Sequence, residues 1–103
     1  MTDRELLQAA AKAVGFEFNG VWFDERTGLL VWEPPTNYES RDWNPLTDDG
    51  DALRLAVRLN IPVFPYDDET STGTIGVVAK NWGSKEANTR RAIVMAAAAM
   101  AVG

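Results

Sequence analysis

The chain has 103 residues and a formal net charge of −5, with 46% hydrophobic and 24% charged residues. This composition is typical of a globular protein, and the length predicts that residues 1–103 form one domain. Cysteine and histidine are both absent. Their absence excludes disulfides and thiolate metal sites, and it removes the commonest general base and zinc ligand. The acidic balance opposes a general attraction to phosphate backbones.

No stretch of the sequence predicts a membrane helix. The longest apolar run, 92–102, falls well short of the roughly 20 residues that a membrane span requires. The first residues also lack the basic and apolar regions of a signal peptide. We therefore expect a soluble, cytoplasmic protein with no membrane partner.

The first residues predict a capped helix. Thr2 and Glu5 have the spacing of a capping box, apolar residues follow at helical spacing, and Gly15 suits a left-handed helix stop. This pattern predicts a helix over about 3–14.

A β-hairpin is predicted next, with strands VWFDE and LLVWE joined by a three-residue loop that ends at Gly28. This register places Trp22 opposite Trp32 and Phe23 opposite Val31. Both faces of the hairpin are then apolar, whereas a sheet with one wet face alternates apolar and polar residues. We therefore expect both faces to be covered.

After a long connection at 34–47, Thr47 or Asp48 is predicted to cap a second helix, with further aspartates in its first turn. The alternative, a calcium loop, requires a glycine and a glutamate at positions where this sequence has neither. Capping is the stronger interpretation, and no metal site is predicted. Asn60 is the expected C-cap. The predicted buried stripe of this helix consists of Ala52, Leu53, Ala56, Val57 and Leu59.

Two further strands and a last helix complete the prediction. Pro62 and Pro65 place the strand at 61–66 on a sheet edge, a polar loop covers 67–73, and TIGVVAKNW forms a strand with two apolar faces. Ser84 caps a helix that runs to about Val102. Its alanines at 96–99 suit either a closely packed neighbour or a subunit interface.

The element order αββαββα therefore predicts an α+β fold with four mainly antiparallel strands. Apolar residues on both faces favour a three-layer α/β/α sandwich. A two-layer fold would need a partner subunit over the uncovered face.

Two groups of residues are candidates for binding. Tyr38, Trp43 and Trp82 could line a ligand pocket, although an aromatic residue in a loop more often pins that loop to the core. The basic stretch could contact nucleic acid, although a solvated helix start is the more usual role and the acidic net charge disfavours nucleic acid as a partner. That stretch contains Lys80, Lys85, Arg90 and Arg91. No catalytic motif or cofactor motif is present.

The segments DWNPLTDDGDALRLA at 42–56 and TRRAIVMAAAA at 89–99 resemble small bacteriophage and prophage proteins with the phage α/β/α sandwich domain. The resemblance implies that fold and a phage or prophage origin in a bacterial cytoplasm. Trp43, Asn44, Pro45 and Asp51 correspond to the motif of that family, to which no role is attached.

These observations predict a non-enzymatic accessory protein that binds a host or phage protein, or a second copy of itself. A small-ligand or nucleotide-binding module is the alternative. A nucleic-acid-associated protein is a third and weaker interpretation.

Overall fold

The computed structural model describes residues 2–14, 21–24, 29–32, 41–73 and 76–101, with side chains in 2–14 and from residue 43 onward. The described residues follow the order αβββαβββα. The elements are α1 (Asp3–Ala13), β1 (Val21–Asp24), β2 (Leu29–Trp32), β3 (Arg41–Trp43), α2 (Asp49–Leu59), β4 (Val63–Pro65), β5 (Glu69–Thr72), β6 (Val78–Lys80) and α3 (Lys85–Met100).

The strands form two separate antiparallel sheets of three strands each, in the orders β1-β2-β3 and β4-β5-β6. The predicted four-stranded sheet is therefore wrong, and the chain has a small α+β fold. Two strands were missed because they occupy segments predicted to be loops. β3 lies within the long connection at 34–47, and β5 lies within the polar stretch at 67–73.

The first hairpin is paired one residue away from the predicted register. Asp24 pairs with Leu29, so four residues separate the two strands where a three-residue loop was predicted. Trp22 consequently pairs with Val31, and the predicted pairing of Trp22 with Trp32 is wrong. A shift of one residue changes which residues of two strands share a face. The expectation that both faces of this hairpin are covered stays a prediction, because the side chains of β1 and β2 are not among the described ones.

The predicted helix caps are confirmed. Thr2 and Glu5 form the capping box of α1, and the Ser84 side chain accepts a hydrogen bond from the Ala87 amide at the start of α3. Asn60 ends α2 in the left-handed conformation, with φ of 54°. The predicted helix stop at Gly15, the turn residue Gly28 and the helix end at Val102 lie outside the described residues.

Helix α3 is the hub of the fold, because it packs against α1, α2 and all three strands of the second sheet. Ala96 and Ala97 of α3 are completely buried, as are Ala10 and Ala11 of α1. Side chains of this size let two helix backbones approach closely. A close neighbour was predicted for the alanines of α3, and the structure shows that α1 and the second sheet both contact this helix. Within the described residues, no helix has the length and apolar character needed to cross a bilayer.

The second sheet has one buried face and one exposed face. Thr70, Thr72 and Ala79 are buried, and the Thr70 hydroxyl lies 2.9 Å from the hydroxyl of Thr89 on α3. On the opposite face, Phe64 is 49% exposed and Val78 is 43% exposed. The expectation that helices cover both faces of the sheet is therefore wrong here, and the three-layer sandwich is wrong with it.

Helix α2 is rotated relative to the predicted orientation. Its buried residues are Asp51, Ala52, Leu55 and Ala56. Leu53 and Val57, which were predicted to be buried, are instead 64% and 67% exposed. The difference arises because a fully buried aspartate, which apolar periodicity does not anticipate, lies on the side that faces the core.

This orientation of α2 predicts unequal losses of stability when two leucines of the helix are replaced. Leu55→Ala should lower the free energy of unfolding by about 2–5 kcal/mol, because it opens a cavity at a residue that is 2% exposed. Leu53→Ala should change it by at most about 0.5 kcal/mol. Urea unfolding of both variants provides the measurement. A larger loss of stability for Leu53→Ala than for Leu55→Ala would show that α2 is oriented as the apolar pattern suggests.

Candidate functional site

The turn that precedes α2 is built by the Trp-Asn-Pro segment. Trp43 is 7% exposed and Pro45 is fully buried, so both anchor the turn in the core. The Asn44 side-chain oxygen accepts a hydrogen bond from the Leu46 amide at 3.0 Å. The Asn44 carbonyl accepts from the amides of Thr47 and Asp48. Asparagine is favoured here because its side chain satisfies a backbone donor in the turn.

Asp48 begins α2 as its N-cap, which confirms the predicted capping. Its carboxylate accepts a hydrogen bond from the Asp51 amide at 2.8 Å. This bond satisfies one of the backbone donors that a helix start leaves without an intrahelical partner.

Asp51 carries a negative charge into the core, where its side chain has no exposed surface. One carboxylate oxygen accepts from the Asn44 amide at 2.9 Å, and the other accepts from the Arg54 guanidinium at 2.8 Å. A buried carboxylate is tolerated when it is paired and hydrogen-bonded in this way. Asp51 therefore connects the turn before α2 to the second turn of the helix.

Arg90 of α3 holds the same turn from the other side. Its Nε donates to the Leu46 carbonyl at 2.8 Å, and its Nη1 donates to the Asp49 carboxylate at 2.6 Å. We call Trp43, Asn44, Pro45, Asp51 and Arg90 the α2 junction. Its polar groups are directed at one another, and its geometry is that of a structural connection between α2 and α3.

All three aspartates at the start of α2 have partners within the protein, and Arg54 contacts two of them, Asp51 at 2.8 Å and Asp48 at 3.9 Å. Asp48 caps the helix, Asp49 pairs with Arg90, and Asp51 pairs with Arg54. The described part of the chain contains no group of three acidic side chains that could hold a metal ion.

The predicted aromatic pocket is not assembled by the described residues. Trp43 is buried in the core, whereas Trp82 is 50% exposed and its ring lies 3.7 Å from the Arg91 guanidinium. Tyr38 lies outside the described residues. Trp43 therefore has the anchoring role that was weighed against ligand binding.

The predicted nucleic-acid residues are divided between the surface and the interior. Lys80 is exposed, and Lys85 forms an ion pair with Asp67 at 3.5 Å. The side chains of Arg90 and Arg91 are only 19% and 11% exposed, and Arg91 pairs with Asp3 at 2.7 Å. The two arginines are thus bound within the protein and do not form a basic surface with the lysines.

The structure shows a groove that was not predicted from the sequence. It has a volume of about 300 Å³ and lies between α2, the start of α3 and β4. Ala52 and Ile93 contribute apolar lining, and Leu53 and Pro65 line it as well. Val57 is exposed one turn beyond Leu53 on α2. We call Leu53, Val57 and this groove the α2 surface. One feature of the sequence does indicate this surface: α2 contains more apolar residues than a single buried face of a helix requires.

The α2 junction predicts unequal effects for two neighbouring aspartates. Asp51→Asn should lower the free energy of unfolding by about 1.5–3 kcal/mol, because a buried amide replaces a charged acceptor of two hydrogen bonds. The matched control Asp49→Asn removes an ion pair whose carboxylate is 76% exposed, and it should cost at most about 1 kcal/mol. Thermal and urea unfolding at neutral pH measure both effects. A smaller loss for Asp51→Asn than for Asp49→Asn would contradict the structural role of Asp51.

Comparison of the chain with protein-family models, with curated proteins and with solved structures finds no match. The basis for a proposed function is therefore the chain's own geometry. The polar groups of the α2 junction form hydrogen bonds with one another and with their neighbours in the fold. The α2 surface, in contrast, exposes apolar side chains to water.

Proposed function

We propose that this chain is a protein-interaction module that acts by binding a partner protein through the α2 surface. The observation that carries the proposal is the exposure of Leu53 and Val57, at 64% and 67%, on one side of a single helix. Burying an exposed aliphatic side chain of this size contributes about 1.5–3 kcal/mol. The adjoining groove gives a partner side chain a concave, mainly apolar seat.

The polar residues support binding rather than catalysis as the function. The sequence contains no histidine or cysteine, so a catalytic site would depend on other side chains. Three aspartates near the groove are held in hydrogen bonds that build the fold. We therefore propose a non-enzymatic role.

The resemblance to phage and prophage proteins extends this proposal. On that basis we propose an accessory protein of phage or prophage origin that acts in a bacterial cytoplasm. Its partner would be a host or phage protein, or a second copy of the chain bound through the same surface.

A small ligand is the second candidate for the same groove. Its volume of about 300 Å³ lies at the lower end of the roughly 300–1,000 Å³ typical of small-ligand sites. Apolar side chains that stand outside the groove, such as Val57, favour a protein partner over an enclosed small molecule.

Site-specific photo-cross-linking tests the proposal. A photoreactive amino acid at position 53 or 57, in the full chain expressed in bacterial cells, should cross-link to a protein that mass spectrometry then identifies. The same amino acid at Lys12, which is exposed on α1, is the matched control. A cross-linked dimer would identify a second copy as the partner. Identical products from positions 53, 57 and 12 would refute the proposal.

The purified partner then allows a quantitative prediction. Leu53→Ser combined with Val57→Ser should weaken binding at least about tenfold, because 1.4 kcal/mol corresponds to a factor of ten in affinity. Thermal unfolding of the double variant should match that of the unchanged protein, since both side chains are exposed. Unchanged affinity would show that the partner binds elsewhere.

A further inference from the structure

A second binding surface lies on the exposed face of the second sheet. Phe64, Ser71 and Val78 are cross-strand neighbours on β4, β5 and β6. Tyr66 continues the ladder because its amide donates to the Glu69 carbonyl at 2.8 Å, and Glu69 pairs with Lys80. Residues that are two apart along a strand share a face. We call the set the outer face; its members are Phe64, Tyr66, Glu69, Ser71, Val78 and Lys80.

The two aromatic residues of this face are two positions apart, with Phe64 on the edge strand β4 and Tyr66 directly after that strand. Phe64 is 49% exposed and Tyr66 is 56% exposed. Their backbones are separated by about 7 Å, the repeat of two residues along a strand. Two exposed aromatic rings at this spacing can each contact a cationic side chain of the same bound peptide.

The hairpin tip beside these rings is acidic. Asp67 and Asp68 form the two-residue connection between Tyr66 and Glu69, and both are exposed. Asp67 contacts Lys85 at 3.5 Å, and no ion pair to Asp68 is formed within the described part of the chain. Lys80 lies on the far strand of the face, about 10 Å across the sheet from the strand that carries the rings. The chain as a whole carries a net charge of −5.

We infer that the outer face binds a basic peptide segment of a partner protein, with arginine or lysine side chains over Phe64 and Tyr66 and against the acidic tip. Cations are attracted to the faces of aromatic rings, and this attraction is stronger where carboxylates lie nearby. The same protein already contains such a contact, because Arg91 lies 3.7 Å from the half-exposed Trp82 ring. A nucleic acid is disfavoured on this face because its phosphates would meet the same carboxylates.

This inference is independent of the α2 surface, although β4 contributes to both. Pro65 of β4 lines the groove, whereas Phe64 belongs to the outer face. The two surfaces can therefore be tested separately with variants of different residues.

The test uses the full chain, labelled with nitrogen-15, and the synthetic peptide Ac-GRGRGRG-amide as the probe. Titration should shift the backbone amide resonances of β4, β5 and β6, and a glutamate-containing peptide of equal length should shift none of them. Phe64→Ser combined with Tyr66→Ser should weaken binding about 5- to 30-fold, from the loss of two cation–π contacts. Asp67→Asn combined with Asp68→Asn should weaken it and reduce its dependence on salt.

Two controls distinguish a defined site from general attraction to an acidic protein. Glu86→Gln removes one exposed carboxylate at the start of α3 and should change the affinity by less than about twofold. Lys80→Ser removes the cation of the outer face and should strengthen binding. Thermal unfolding of every variant checks that the fold is retained.

Binding that survives the loss of both aromatic rings would overturn the inference, as would resonance shifts confined to α2 and the groove. Neither result affects the proposed role of the α2 surface. That role is tested by Leu53→Ser and Val57→Ser, which should leave binding of the arginine peptide unchanged.

Discussion

The buried carboxylate of Asp51 is the constraint on which the arrangement of α2 depends. A charge without solvent contact is stable only while donors surround it, and here they are the Asn44 amide and the Arg54 guanidinium. These bonds turn the Asp51 side of the helix toward the core. Successive residues of an α-helix are rotated by about 100° about its axis. Residues 53 and 57 therefore lie at about 200° and 240° from Asp51 around the helix, on the side opposite the core. The hydrogen bonds of Asp51 thus keep Leu53 and Val57 on the solvent side of α2, and the exposure of these two residues follows from the fold.

Local interactions account for what could be predicted from the sequence, and contacts distant in sequence account for what could not. Thr2 with Glu5 and Ser84 with Ala87 are each three residues apart, so the capping patterns identified both helix starts. The strand Glu69–Thr72 shows no apolar alternation, and the burial of Thr70 depends on Thr89 in a helix 19 residues away. Its polar side chains gave the pattern of a loop, which removed one strand from the predicted sheet.

The same distinction between local and distant contacts separates the predicted from the unpredicted parts of the candidate site. Asp48 was identified as a cap because its partner is three residues away. The junction around it was not predicted, since Asp51 binds a backbone amide seven residues earlier and Arg90 reaches the Leu46 carbonyl across 44 residues. Arg90 illustrates the consequence. In the sequence it belongs to a basic stretch, whereas in the structure its hydrogen bonds join α3 to the turn before α2.

The two exposed apolar surfaces have a common origin in the central position of α3. Helix α2 and the second sheet each bury one side against α3, and among the described elements none covers the exposed apolar residues on the other side of either. Strand β4 separates the two surfaces, because Pro65 lines the groove while Phe64 belongs to the outer face. This strand has three residues, lies at a sheet edge and contains a proline that cannot donate to a ladder. So short a strand can contribute to both surfaces because alternate residues of a strand point to opposite sides, which puts Pro65 and Phe64 on different surfaces although they are neighbours in the chain.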